Sequence, residues 1–413
     1  PFGEGFVRQA VGSGPYRVKD FEFGKYIRYE RNPNYWAANH PVNAGRYNFD
    51  EIVVKYYRDQ GVQLEAFKAG DFDFLFVSSS KQWAVDMDGD KWAKKWIVKE
   101  SLPHKNDEGM QGYAFNLRRP VFQDRKVRKA LAIAFDFDWT NKNLFYGQYI
   151  VSDSYFANSE LAARGLPTAE ERKLLDPFKA ELPPEVFTEP VQAVGKGLTD
   201  ARDRLRESLK LLREAGWEVK DGVMTEKKSG RPLKFTVLLD QPAFQRVTEP
   251  YIANLKRLGV QADMKVVDDS VYQRQVDAKD FDMIVGRFPQ SQSPGNEQRD
   301  FWHSQSADQA ASRNVIGIKS KAVDALVEAI IQAPSRAALL TATHALDRVL
   351  WHEYYMVPQW YLNYHRITHW NKFGHPKTLP LYYTPTPYLM YWWIDPAKAQ
   401  ALDAAVKSGK ALP

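Results

Sequence analysis

The chain has 413 residues, 44% hydrophobic and 26% charged, a length that calls for more than one core and a composition ordinary for globular proteins. Its 57 basic and 51 acidic residues are interspersed at a net charge of +6, so no basic block marks a nucleic-acid groove and no nucleic-acid partner is expected. No run approaches the ~20 apolar residues of a membrane span, and the absence of cysteine excludes disulfides, thiolate metal sites and cysteine catalysis together.

Aromatic residues, at 14%, are the outlier and suit either large cores or ligand stacking. The chain starts at Pro1 and enters structured sequence within a few residues, without a charged and apolar targeting segment. A processed or partial chain is the expectation.

In chain order, "PYRVKDFEFGKYIRYERN" (15–32) reads as two strands around a turn near Gly24, and "FDEIVVKYYRD" (49–59) as a third strand. "VQLEAFKAG" (62–70) is a short helix stopped by Gly70, and "FDFLFV" (72–77) is extended again. "KWAKKW" (91–96), the densest basic and aromatic cluster, reads as an exposed helix face. "GYAFN" (112–116) leads into a helix on which Val127, Ala130, Leu131 and Ala134 share one face. Residues 160–198, rich in proline, read as an irregular excursion.

From residue 201 helices and strands alternate. "ARDRLRESLKLLREAG" carries Leu205, Leu209 and Leu212 on a stripe and Gly216 as its stop. The strand "LKFTVLLD" (233–240), the helix "RVTEPYIANLKRLG", the strand "VQADMKVVD" (260–268), the short helix "VYQRQVDA" and the strand "FDMIVG" (281–286) follow. This alternation implies an α/β fold with a partly parallel sheet covered on both faces. Two helices, 321–332 and 335–351, precede the extended "MVPQWYLNYH" (356–365), and the aromatic tail reads as short strands and turns.

The loop "RFPQSQSPGNEQRDFW" (287–302) leaves the carboxyl end of a sheet strand, where open α/β sheets bind ligands. No reaction centre accompanies it. "HEYYM" (352–356) lacks the second histidine of a zinc helix. His365 and His369 lie about 13 Å apart in an extended segment and read as structural. "GSGPY" and "GKG" lack the spacing of phosphate loops, and no G-x-S-x-G elbow occurs. The pairs Asp71/Asp73 and Asp136/Asp138 read as caps. A binding protein without enzymatic activity, metal or cofactor is expected.

"VGSGPYRVKDFEFGKYIRYERNPNYW" resembles the signature stretch of family 5 extracellular solute-binding proteins, the peptide-binding components of ABC importers. "NFDEIVVKYYRDQGVQLEAFKAGDFDF", "GYAFNLRRPVFQDRKVRKALAIAFDFDW", "LKLLREAGWEVKDGVM" and "FDMIVG…SPGNEQRDFW" match in order. With "NKNLFYGQYIVSDSYFANSELAARGLP", the second and third are similar to the YejA-like subgroup, associated with uptake of peptides and peptide-conjugated antibiotics such as microcin C.

The resemblance implies an α/β two-lobe periplasmic-binding-protein clamp (class II, cluster C type) with mixed sheets and flanking helices. Residues 1–113 and 363–413 would belong to lobe I and 117–357 to lobe II, with crossovers near 113–116 and 358–362. It implies a peptide ligand held in an inter-lobe cleft, membrane permease subunits as partners, and a Gram-negative periplasmic location, the signal segment not being in this chain. Oligosaccharide or another solute on the same fold is the alternative. The N-terminal portion that precedes "GSGPY" in the family is expected as a missing piece, either part of the same chain or a separate one.

Aligning Gly286 and Pro294 places Gln290 where relatives carry an aspartate for the peptide amino terminus. Glu297 or Asp300 would replace that anchor, or a blocked amine such as a formyl group would suit the amide. The ligand-binding set implied is Asn116, Arg118, Arg119, Arg287, Gln290, Ser291, Gln292, Asn296, Glu297, Arg299, Asp300, Trp302, Trp360 and Tyr361. Within it, Asn116 either bonds the ligand or satisfies hinge carbonyls, and Trp302, Trp360 and Tyr361 pack either on ligand or in the core.

Overall fold

The computed structural model describes residues 12–386 and 390–413. Val11, which heads the first signature stretch, and residues 387–389 of the aromatic tail lie outside the described residues. The chain divides into two compact units, one formed by the residues up to His104 with Tyr364–Pro413, the other by Lys105–Asn363. Among the described residues no helix is long and apolar enough to cross a membrane.

In the first unit, the strands Tyr16–Glu22, Tyr26–Arg31 and Glu51–Lys55 form an antiparallel sheet, with Gly24 at positive φ in the first turn. The helix Gln60–Ala69 is capped by Asp59 and ends at the left-handed Gly70. A second sheet places Tyr364–Trp370 between Phe74–Phe76 and Ile97–Pro103.

His365 and His369 sit on that central strand, as structural residues. His369 and His375 lie 3.6 and 3.9 Å from Glu100, whose carboxyl their proximity holds below the usual range against the effect of its burial. "KWAKKW" forms only the short helix Asp90–Ala93, after which Trp96 turns inward. Lys68, Lys91, Lys94 and Lys99 lie over Trp92, Trp370, Trp96 and Trp83. The chain ends in the helix Pro396–Ser408, bounded by the Asp395 cap and Gly409. Its signals lie past the aromatic tail, and the strand-and-turn reading stopped short of them.

The second unit is built on a five-stranded sheet in the order Gln261–Val266, Lys234–Leu239, Met283–Phe288, Met110–Phe115, Met356–Pro358. The first three run parallel, joined by the helices Gln245–Arg257 and Asp269–Asp277, while Met110–Phe115 runs against its two neighbours. Alternation along the strands fills two cores. Met110, Ala114, Ile284, Phe288 and Met356 serve one face, and Tyr113, Phe115, Phe235, Val237, Met283 and Val357 the other.

The proline-rich excursion is ordered. It holds the short helices Ala169–Leu175 and Glu185–Thr188 and is fastened by the helix Arg336–His352. Asp347, fully buried, accepts hydrogen bonds from Ser154 Oγ (2.7 Å), Tyr155 N (2.7 Å) and Ala163 N (2.9 Å). Arg348 donates to Glu171 (2.5 Å) and to the carbonyls of Arg164 and Gly165. Each buried charge is met by opposite charge or by oriented donors, the condition for keeping it inside.

The two compact units meet along the chain at His104–Lys105 and at Asn363–Tyr364, and Met110–Phe115 is an interior strand of the second unit's sheet.

Candidate ligand-binding edge of the second unit

The sheet of the second unit has two polar ends. At one end, Phe115 pairs with Met283; at the other, Met110 pairs with Phe288. Six-residue strands put these ends about 17 Å apart.

The first end holds Asn116, Arg118 and Arg119. Asn116 is fully buried, and its Nδ2 donates to the carbonyls of Lys279 (3.0 Å) and Phe281 (2.7 Å). Its Oδ1 accepts from Arg118 N (3.2 Å) and NH1 (2.8 Å). Arg118 donates further to the carbonyls of Val315, Asn314 and Ala307. Arg119 reaches Phe281 O, Asp280 (2.8 Å) and Asp282 (2.9 Å). These three residues lock the turn that precedes the strand Met283–Phe288. The sequence reading grouped them with the 287–302 loop, and the sheet separates them from it.

At the other end the backbone approach is close. Gly109 has φ +61, and a Cβ there would stand 2.1 Å from Phe288 O. This lets the segment before Met110 lie along the start of the loop. Arg287 pairs with Gln111 in register and donates Nε to Gln111 Oε1 (3.1 Å). Gln111 Nε2 donates to Gln359 Oε1 (3.0 Å), and Gln359 is fully buried.

Gln290 Oε1 accepts from Gln298 Nε2 (2.7 Å), while its own Nε2 is buried with no partner. Gln298, also fully buried, accepts from Trp302 Nε1 (2.9 Å). Gln292 donates to Asp107 Oδ1 (3.0 Å), and Arg336 donates to the Gln292 carbonyl. Ser291 accepts from Ser293 N (3.3 Å). Burial raises Asp107, and burial with the neighbouring Asp107 charge pushes Glu108 up to about 7.

Other members of the expected set are structural in this arrangement. Glu297 accepts from Gly295 N (2.8 Å) and Gln298 Nε2 (3.1 Å), and Asp300 accepts from Arg313 N (3.2 Å). Each acid uses one carboxylate oxygen in these bonds. Arg299 makes a two-pronged pair with Glu328 (2.6 Å each) and a bond to Asn296 Oδ1 (3.2 Å). Trp302 is fully buried against Phe288 and Tyr155.

Trp360 and Tyr361 are half-buried on a short strand beside Ile150–Val151. Trp360 packs against Phe145, Tyr149 and Phe244, and burial raises the Tyr361 hydroxyl.

Gln111, Gln298, Gln359, Asp107 and Glu108 were not singled out from sequence. Gln298 belongs to the loop itself, and only the pairing of distant strands brings the others to it. The alternation of "MQGYAF" placed Gln111 and Tyr113 on one face, which was the one available hint.

This geometry can hold a solute by hydrogen bonds. It assembles no nucleophile and base, and among the described residues no group of three His, Asp or Glu side chains could hold a metal ion. The parallel strands with a polar loop at their carboxyl edge, in a chain of two mixed α/β units, define a solute-binding fold.

The chain belongs to the bacterial extracellular solute-binding proteins of family 5, whose middle-region model matches residues 1–310. It is 40% identical to YejA of Escherichia coli (strain K12) over 402 residues, 97% of this chain and 66% of that protein. It is likewise 40% identical to a probable peptide-binding protein YejA of Agrobacterium fabrum over 392 residues, 94% of this chain and 64% of that protein. The chain thus spans about two thirds or less of the length of these relatives.

Among solved structures, it resembles the oligopeptide-binding protein AppA of Bacillus subtilis in complex with a nonapeptide. The TM-score is 0.68 at 20% identity, covering 95% of this chain and 68% of that one. It also resembles a periplasmic oligopeptide-binding protein of Thermotoga maritima with bound mannohexaose, with TM-score 0.62 at 17% identity, over 89% and 64% of the two chains. At these identities the structures bear on the fold, the two-lobe clamp of family 5 binding proteins.

Proposed function

We propose that this chain is the ligand-capturing portion of the substrate-binding component of an ABC importer, taking up peptides or peptide conjugates in the Gram-negative periplasm and passing them to a membrane permease. The carrying observation is the unfinished polar edge of the second unit, where Arg287, Gln290 and Gln292 stand at the carboxyl end of the parallel strands. Such groups bond a peptide backbone without reading side chains, and water fills the remaining volume.

Arg287, Gln290, Ser291, Gln292, Trp360 and Tyr361 are the ligand-facing residues in this reading. Asn116, Arg118, Arg119, Arg299 and Trp302 support the scaffold. Family membership and the Agrobacterium relative, named a probable peptide-binding protein, support this reading.

Native mass spectrometry of the protein as purified tests it. A co-purified ligand with a peptide's mass and fragmentation is the expected result, and a second polypeptide in the same spectrum would identify a separate N-terminal chain. Turnover of a peptide library would instead mark an enzyme. A second reading, an oligosaccharide ligand, is favoured by the mannohexaose held by the Thermotoga neighbour. Calorimetric titration with peptides against glycans separates the two.

A further inference from the structure

Arg287 differs from the paired arginines around it. Arg119, Arg299, Arg336 and Arg348 each face a carboxylate at 2.8 Å or less. Among the described residues no carboxylate lies within ion-pair distance of Arg287. Its one side-chain hydrogen bond runs from Nε to Gln111 Oε1, so both terminal nitrogens remain open. Those two nitrogens are the prong of the guanidinium that fits a carboxylate.

The side chain is also seated. Gln111 is held by Gln359, which is fully buried and receives the Gln111 Nε2 proton at 3.0 Å. Arg287 is exposed, and a guanidinium held at Nε by a relay rooted in the buried Gln359 has already lost part of its rotamer freedom, which lowers the entropy cost of meeting a ligand. Three residues on, Gln290 Nε2 is a second donor without an acceptor, and buried donors in native proteins are normally matched. Donors in excess at one strand end call for acceptors from outside.

The nearest rival is internal. Asp240, at the end of the neighbouring strand, acts with Arg287 on the Tyr272 hydroxyl in opposite senses, although it forms no ion pair with the arginine.

We propose that Arg287, seated by Gln111 and Gln359, receives a carboxylate of the bound solute, and that the protein selects peptides with a free carboxylate over their neutral counterparts. This deepens the peptide-binding reading and rests on it. The carboxylate can be the ligand's C-terminus or an acidic side chain.

Calorimetry on the full chain with two twin pairs distinguishes them. One pair is acetyl-tetraalanine and its C-terminal amide; the other is acetyl-Ala-Glu-Ala-Ala-amide and its Gln twin. The expected result is a preference of about tenfold for the acid in at least one pair, the size of a charge-assisted hydrogen bond. Arg287→Gln removes the preference by weakening the acid twin more than the neutral one, leaves the unfolding midpoint in place, and Arg287→Lys retains part of the preference.

Equal affinities within both pairs, with binding intact, overturn the carboxylate assignment and leave the peptide reading standing. Absence of binding by all four peptides overturns both. A preference that survives Arg287→Gln while the unfolding midpoint drops makes Arg287 a structural partner of Asp240, and overturns the assignment as well.

Discussion

Where Phe115 meets Met283, an asparagine and two arginines bond to one another and to seven further groups, and the amide of Asn116 has no capacity left. Where Met110 meets Phe288, glutamines and one arginine form short relays that end in open donors, at Gln290 Nε2 and the Arg287 fork. The residue types are alike at the two ends of one sheet. What separates them is how completely each group is satisfied within the chain. A saturated polar cluster stabilises a turn, whereas an unsaturated one at a strand's carboxyl edge is available to a solute.

The largest expected effect removes what the open end stands on. Trp302→Ala should cost about 3–5 kcal/mol of stability in urea unfolding, since its indole is fully buried against Phe288 and Tyr155. Next comes Gly109→Ala, at about 2–3 kcal/mol, because positive φ and the Phe288 carbonyl both resist a Cβ. A stability change below 1 kcal/mol would mean that the segment before Met110 is free to move away.

The comparison itself is tested by a matched pair. Asn116→Ala strips two carbonyls and Arg118 of their partner and should cost about 2 kcal/mol without altering peptide affinity. Gln290→Leu should change stability by less than about 0.5 kcal/mol and weaken peptide binding several-fold. Reversal of the two outcomes, measured by unfolding and calorimetry on the same variants, breaks the distinction between the ends.

A smaller effect concerns pH. Glu108 titrates at about 7 in the folded chain, above its ordinary range, because burial and Asp107 disfavour its charge. Between the ordinary carboxylate value and pH 7 the native state binds the extra proton, so stability present at lower pH is lost as pH rises through that window. Glu108→Gln should flatten this slope in unfolding curves taken from pH 5 to 8. The smallest effect expected is at the amine anchor. A peptide and its formylated twin should differ by less than about threefold, with the formyl form preferred, since Gln290 replaces an ion-pairing acid by a neutral amide. Strong preference for the free amine would locate an acid that serves it, with Asp107 and Glu108 the first to substitute.

The sequence reading followed the alternating helices and strands from 201 to 288 closely, apart from the unread hairpin Trp217–Lys220 and Val223–Glu226, because each element carries its own periodicity and stop signal. Leu205, Leu209 and Leu212 mark a helix face, and Gly216 its end, whatever surrounds them. The final helix was missed although Asp395, Pro396 and Gly409 bound it. The loop 287–302 was legible as a polar segment at a strand's carboxyl edge. Its division of labour was not. Glu297 and Asp300 look like free acids in sequence, but each is engaged by a nearby backbone N–H. Asn116 was expected to bond either the ligand or backbone carbonyls, and strand pairing puts it at the far end of the sheet from the loop, on the carbonyls of Lys279 and Phe281.

Sequence alone determined the family, the α/β class, the order of elements and the loop that carries the polar groups, since these rest on local pattern and on signature stretches. Tertiary structure decided which of those groups are free. Saturation is a property of partners, and the partners here are far apart in sequence: Gln111 meets Arg287 across 176 positions and Gln359 across 248. A strand direction, invisible in any single segment, sends Asn116 to one end of the sheet and Gln111 to the other.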